Sequence, residues 1–169
     1  IASDFISNLI EGFIRIGIFI AYLKLINLLP DIRRVFAYHG AEHKVVNAYE
    51  SGCPLKLEAI KNYSTAHARC GTSFILTFLI LAIIVFALLG RPQLWLTILF
   101  RIIFLPVIAA LGYEVNRFAA RHSKNTLARV FLAPGLALQS MTTREPDDSQ
   151  LETAISALNE VIEADKASG

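Results

Sequence analysis

Between Arg69 and Arg91 lies a stretch without a single charge, and its centre, Phe74 to Leu89 (FILTFLILAIIVFALL), is almost wholly aliphatic or aromatic. About 20 apolar residues match a hydrocarbon layer roughly 30 Å thick. A buried helix of a soluble protein is usually shorter and keeps a polar stripe. The run therefore predicts a membrane span over 72–90. Composition agrees: 54% of the residues are apolar and 18% charged, where a soluble domain usually carries about a quarter charged residues.

A second span is predicted over 92–113, with one charge, Arg101, and with Pro106 inside it. A proline ring removes one backbone donor and clashes with the preceding turn, so a kink is expected there. Gly90, Arg91 and Pro92 make the two spans a tight hairpin, and Trp95 suits an aromatic anchor at headgroup level. A third candidate span covers 6–30 and holds Glu11, Arg15 and Lys24. Glu11 and Arg15 are four residues apart and can pair on one helix face, and Lys24 can extend its head to the interface. An arginine near a bilayer centre costs at least about 2.5–3.5 kcal/mol. Arg101 is accordingly expected to meet Glu11, in a structural role.

Loop charge sets an orientation. The segment 31–71 carries Arg33, Arg34, Lys44, Lys56, Lys61 and Arg69, the turn after the first strong span only Arg91, and the stretch after 113 carries Arg117, Arg121, Lys124, Arg129 and Arg144. Such an excess marks the cytoplasmic side, so the polar loop and the C-terminus are expected there. The segment 126–141 is apolar but too short to cross, and Pro134-Gly135 is expected to break it into a re-entrant or interfacial hairpin. From Pro146 onward, a proline suited to the first helical position precedes Asp147 and Asp148. Leu151, Ile155, Leu158 and Ile162 then recur at helical spacing, and the stripe is expected to dock on the protein or on a partner. The expected fold is an all-α integral membrane protein. It has about three transmembrane helices, an interfacial or re-entrant helical hairpin, and a C-terminal amphipathic helix, with a membrane domain over 1–145 and the helix over 146–169.

Several classes are disfavoured. A net charge of +2 with no basic run argues against nucleic acid. Cys53 and Cys70 make no disulfide framework. No signal-peptide pattern follows Ile1, and a chain that begins with Ile rather than Met is expected to be a fragment, a processed form or part of a longer protein.

The chemistry concentrates in Tyr38-His39-Gly40-Ala41-Glu42-His43-Lys44. This contains His-x-x-Glu-His, the reverse of the zinc-peptidase His-Glu-x-x-His. On a helix, His39 and His43 are one turn apart and can reach one metal ion. Glu42 is placed to orient or deprotonate a metal-bound water, its role in enzymes with the reversed motif. Three of the four histidines fall between His39 and His67. A tetrahedral site needs a third protein ligand, and His67, then Glu114, then Cys70 are the candidates. The bland alternatives are a small buried residue for Cys70 and an ion pair with Arg117 for Glu114. His122, flanked by Arg121 and Lys124, reads as a solvated face, and Cys53 as a turn residue. Arg144, Glu145, Asp147 and Asp148 form a dense polar cluster. It is either a capped helix start or an Arg–carboxylate group closing over the polar loop.

Three motifs carry a resemblance. Tyr38 to Lys44, then Arg69-Cys70-Gly71-Thr72-Ser73-Phe74, then Thr142-Thr143-Arg144-Glu145-Pro146-Asp147-Asp148-Ser149-Gln150 resemble the YqhQ-like family of bacterial and plastid membrane proteins, over about residues 10–160. The family is commonly labelled as metal-dependent enzymes without an established reaction. The resemblance implies a bacterial cytoplasmic or plastid membrane and a motif before the start of this chain. This sequence departs from the family at Ala68, where proline is usual, and at Cys53, where the family is polar or acidic.

The sequence thus leads to a membrane-embedded metal-dependent enzyme, of hydrolase type, with a divalent metal, zinc foremost, since imidazole and carboxylate suit it. A lipid-like or membrane-protein substrate is expected. The alternative is a non-catalytic membrane subunit or assembly factor that binds protein partners, or a homo-oligomer, through its polar loop and C-terminal helix. A channel or transporter is a weaker third reading, because three spans with one intramembrane arginine offer little to line a pathway.

Overall fold

The computed structural model describes residues 2–122 and 125–168, and among these every regular element is helical. In chain order they are α1 (Ala2–Ile26), α2 (Pro30–Glu50), α3 (Leu57–Ile60), α4 (Gly71–Leu89), α5 (Leu94–Arg121), α6 (Thr126–Thr142) and α7 (Asp148–Ser168). They form two compact units. The first joins the residues up to Leu23 with Ala68–Leu138, and the second joins Lys24–His67 with the residues from Gln139 on.

In the first unit α4 and α5 pack on one another. Both are long and apolar enough to cross a membrane, and only 17% and 6% of their most apolar windows are buried. The core helix of a soluble protein is mostly buried; here the apolar surface is turned outward. The expected third span does not pass the same test. Its segment is helical only to Ile26, after which a short turn leads to Pro30 at the first position of α2. α5 stays helical through Pro106 and runs eight residues past the expected end at 113.

The segment 126–141 corrects the expectation of a hairpin. It lies in one helix, α6, with Pro134 in its interior. A proline removes a single donor, and neighbouring helices can compensate for it. Gly135 serves packing here rather than a break: a Cβ on it would lie 2.7 Å from the Ser73 side chain of α4. Ala119, Ala128 and Leu132 bury a small core between the end of α5 and α6.

The second unit has its own core, in which Ala41, Val45 and Ala48 of α2 meet Ile60 of α3 and Leu151 of α7. Ile155 and Leu158 pack against this core, so the apolar stripe of α7 docks within the chain. The helix begins at Asp148, two residues later than Pro146 suggests. Asp147 is its cap: the Asp147 carboxylate accepts from the Gln150 backbone N–H at 2.9 Å, and the Gln150 side chain accepts from the Asp147 N–H at 2.9 Å. This reciprocal pair is a capping box.

Candidate metal centre

The expected polar loop is built on α2. Pro30 fits the first turn of that helix, where a backbone N–H would lack an intrahelical acceptor anyway. Four residues of spacing then put His39 and His43 on one face. Gly40, His43 and Lys44 are buried, His39 is half-buried and Glu42 is exposed.

Each histidine is fixed by a backbone carbonyl. His39 Nδ1 lies 2.8 Å from the Thr142 oxygen, and His43 Nδ1 lies 2.6 Å from the Thr65 oxygen. A carbonyl only accepts, so each Nδ1 carries the proton and donates it. In a neutral imidazole the lone pair then belongs to Nε2. This is the orientation that backbone carbonyls behind the ring impose on metal-binding histidines. The two ring centres are 4.3 Å apart in an edge-on arrangement, and a ring nitrogen of each lies within 4.8 Å of the other's. Nitrogens bound to one zinc ion at about 2.0–2.1 Å in tetrahedral geometry are roughly 3.4 Å apart.

The segment 61–67 is ordered by the same helix. Lys44 Nζ donates to the Lys61 carbonyl at 2.7 Å, and Asn47 Nδ2 donates to those of Ser64 and Ala66 at 2.9 and 3.0 Å. Lys44 is 3% exposed and also pairs with Glu145, so its buried ammonium has both a charge partner and a carbonyl. His67 closes the segment. Its ring centre is 5.8 Å from that of His43, and its Nε2 lies 3.4 Å from a Glu50 carboxylate oxygen. Its backbone N–H donates to Gln139 Oε1 at 2.9 Å, while Gln139 Nε2 donates to its carbonyl at 2.8 Å. Gln139 is fully buried.

Residues 143–148 lie across α2 as a strap. The Arg144 N–H donates to the Phe36 carbonyl of α2 at 2.9 Å. A Cβ on Gly40 would sit 2.0 Å from the Arg144 oxygen, so only glycine admits the strap. The cluster expected from sequence is thereby resolved into separate contacts. Arg144 Nη2 donates to Asn27 at 3.1 Å, Glu145 meets Lys44, Asp147 caps α7, and Asp148 meets Lys61 at 2.9 Å. No Arg144–carboxylate pair forms among the described residues. The Gln150 N–H and Ser149 hydroxyl hold the Asp147 carboxyl below its ordinary range. Asp148, then Glu58, raise the Lys61 ammonium. Tyr38, with Asp147 and Asp31 behind it, raises the Arg34 guanidinium, which sits 5.9 Å from the Tyr38 ring centre.

The remaining sequence candidates lie in the first unit. Cys70 stands at the N-cap position of α4 without a capping side-chain bond, its sulfur 3.2 Å from the Thr72 hydroxyl. Glu114 pairs with Arg117 at 3.3 Å along α5. His122 Nδ1 donates to the Phe118 carbonyl at 2.9 Å at the end of α5, and Lys124 lies outside the described residues. Glu11 meets Arg15 at 3.5 Å and also Arg91, not Arg101 as expected. The guanidinium in the α4–α5 turn reaches the carboxylate from one helix end, whereas Arg101 lies deeper along α5. In the second unit Cys53 follows Gly52, which adopts a positive φ of 71°, as a turn residue would. Gly40, Asn47 and Gln139 were not singled out by spacing or composition. Gln139 is 72 residues from His67, and no local pattern joins them.

The whole chain to residue 164 matches the family described as "Protein of unknown function (DUF1385)". It is 38% identical over 153 residues to "Uncharacterized protein YqhQ" of Bacillus subtilis (strain 168), covering 90% of this chain and 48% of that protein. The chain thus spans about half the length of that relative. No solved structure matches it. By the extent of both matches, the chain belongs to the YqhQ-like DUF1385 family.

Proposed function

We propose that this protein is a membrane-embedded metal-dependent enzyme of hydrolase type, with His39 and His43 as metal ligands and Glu42 as the general base. One observation carries the reading. Both Nδ1 atoms are committed to carbonyls, Thr142 and Thr65, so in each neutral imidazole on that face of α2 the lone pair belongs to Nε2. A divalent ion bound there, zinc foremost, would supply Lewis acidity and lower the pKa of a bound water. The chain's own contribution is to hold the rings in one tautomer and to leave Glu42 exposed beside them to take a proton. The third ligand is proposed to be His67, first in rank on sequence and in the same unit. His67 would release Glu50 or use Nδ1.

Lipid-facing α4 and α5 support an integral membrane protein, and 6–30 is proposed as a third span. The loop charges support a cytoplasmic polar segment and C-terminus. A lipid-like or membrane-protein substrate follows from that placement. Glu42→Gln separates binding from chemistry. The variant is expected to keep its metal and to lose function by about 10²–10⁴-fold, the contribution usual for a general base. Full complementation by Glu42→Gln in cells lacking the native copy would contradict the catalytic role.

A second reading has its own observation. The same histidine–carbonyl bonds also pin α2 to the 61–67 segment and to the end of α6, as purely structural histidines would. A non-catalytic subunit of this kind would carry no stoichiometric metal.

A further inference from the structure

The first unit contains a groove of about 580 Å³ that the metal centre does not use. Phe78, Ile83 and Phe86 of α4 and Phe100 of α5 give it apolar walls. Three arginines, Arg15, Arg91 and Arg101, line it together with one carboxylate, Glu11. Glu11 pairs with Arg15 and Arg91, and Arg101 has no ion pair among the described residues. Three cations against one anion leave an excess of two positive charges in a groove whose other lining, Asn8 and Thr97 apart, is apolar or glycine.

Depth sharpens the problem. Arg101 is seven residues into α5, roughly 10 Å along its axis from Leu94 at 1.5 Å per residue. The helix there turns nearly all its apolar surface outward. A guanidinium at such a depth is expensive unless an anion meets it. The volume is that of a small-molecule site. Basic pockets between membrane helices are suited to anionic headgroups. A zwitterionic lipid would bring its own cation and leave the excess charge unmet.

We propose that this groove binds one net-anionic phospholipid, its phosphate held by Arg15, Arg91 and Arg101 and its acyl chains lying along the aromatic wall of α4 and α5. The proposal rests on the reading of α4 and α5 as membrane spans, and it is independent of the metal centre.

The test is native mass spectrometry of the full chain in neutral detergent, titrated separately with phosphatidylglycerol, phosphatidylcholine and inorganic phosphate. One phosphatidylglycerol per chain is expected, held at least about tenfold more tightly than phosphatidylcholine, with free phosphate failing to displace it. This comparison on the unmodified chain requires no variant to fold. Arg101→Gln should weaken phosphatidylglycerol retention about tenfold and Arg101→Lys much less, with circular dichroism confirming helical content in both. Equal retention of the two lipids, displacement by inorganic phosphate alone, or no effect of Arg101→Gln in a folded variant would each overturn the proposal. Recovery of the chain from the aqueous fraction without detergent would overturn the membrane reading itself. Detergent-dependent extraction with no lipid preference would overturn the groove assignment only.

Discussion

At the residue scale, Gly40 is the position where chemistry and packing meet. Replacing an exposed helical glycine with alanine ordinarily stabilises a helix by up to about 1 kcal/mol. Here the new methyl would lie 2.0 Å from the Arg144 oxygen, and the sign reverses. Gly40→Ala should destabilise the second unit by about 1–3 kcal/mol, the cost of overpacking, visible as a lower thermal midpoint in detergent. An unchanged or higher midpoint would mean that the strap over α2 is not closed. Asp147 adds a pH dependence with a definite sign. Its carboxyl is held low mainly by the Gln150 N–H. Its contribution is therefore present above the ordinary carboxylate value of about 3.9 and is lost as pH falls through the lower folded value. Amide exchange at the start of α7 should accelerate on acidification in the native protein. In Asp147→Asn, which keeps a capping oxygen without a titrating group, it should respond much less.

At the scale of elements, what is local in the sequence was legible and what is long-range was not. Phe74 to Leu89 announces α4 because a helix in lipid needs nothing beyond its own apolar length. The i, i+4 spacing of His39 and His43 gives their shared face for the same reason. The stripe on α7 was legible, but not its start, since the Asp147–Gln150 exchange that sets the cap competes with a plausible proline start. Pro134-Gly135 misled because a break and a close approach use the same residues. The contact with Ser73 decides between them, and it lies far away in sequence. Order in 61–67 depends on Gln139, which clamps both backbone groups of His67. Gln139→Leu leaves those two groups unpaired in a buried setting. A loss of about 1–3 kcal/mol is expected, with faster exchange at His67 and its neighbours. Exchange as slow as in the native chain would show that the segment is held by α2 alone.

At the scale of the whole molecule, one unit offers two long apolar helices that turn their surface outward and the other a histidine face with its own core. The family match spans both. The proposal that α4 and α5 span a membrane predicts that the chain is released from membranes by detergent and not by alkaline wash. The central claim concerns His39 and His43, whose tautomers are set by Thr142 and Thr65. The most direct measurement is elemental analysis of the detergent-purified chain by plasma mass spectrometry, native against His39→Ala and His43→Ala. The account expects about one zinc or other divalent transition metal per native chain and less than about a tenth of that in either variant. A native chain without metal, or variants that retain it in full, would contradict it.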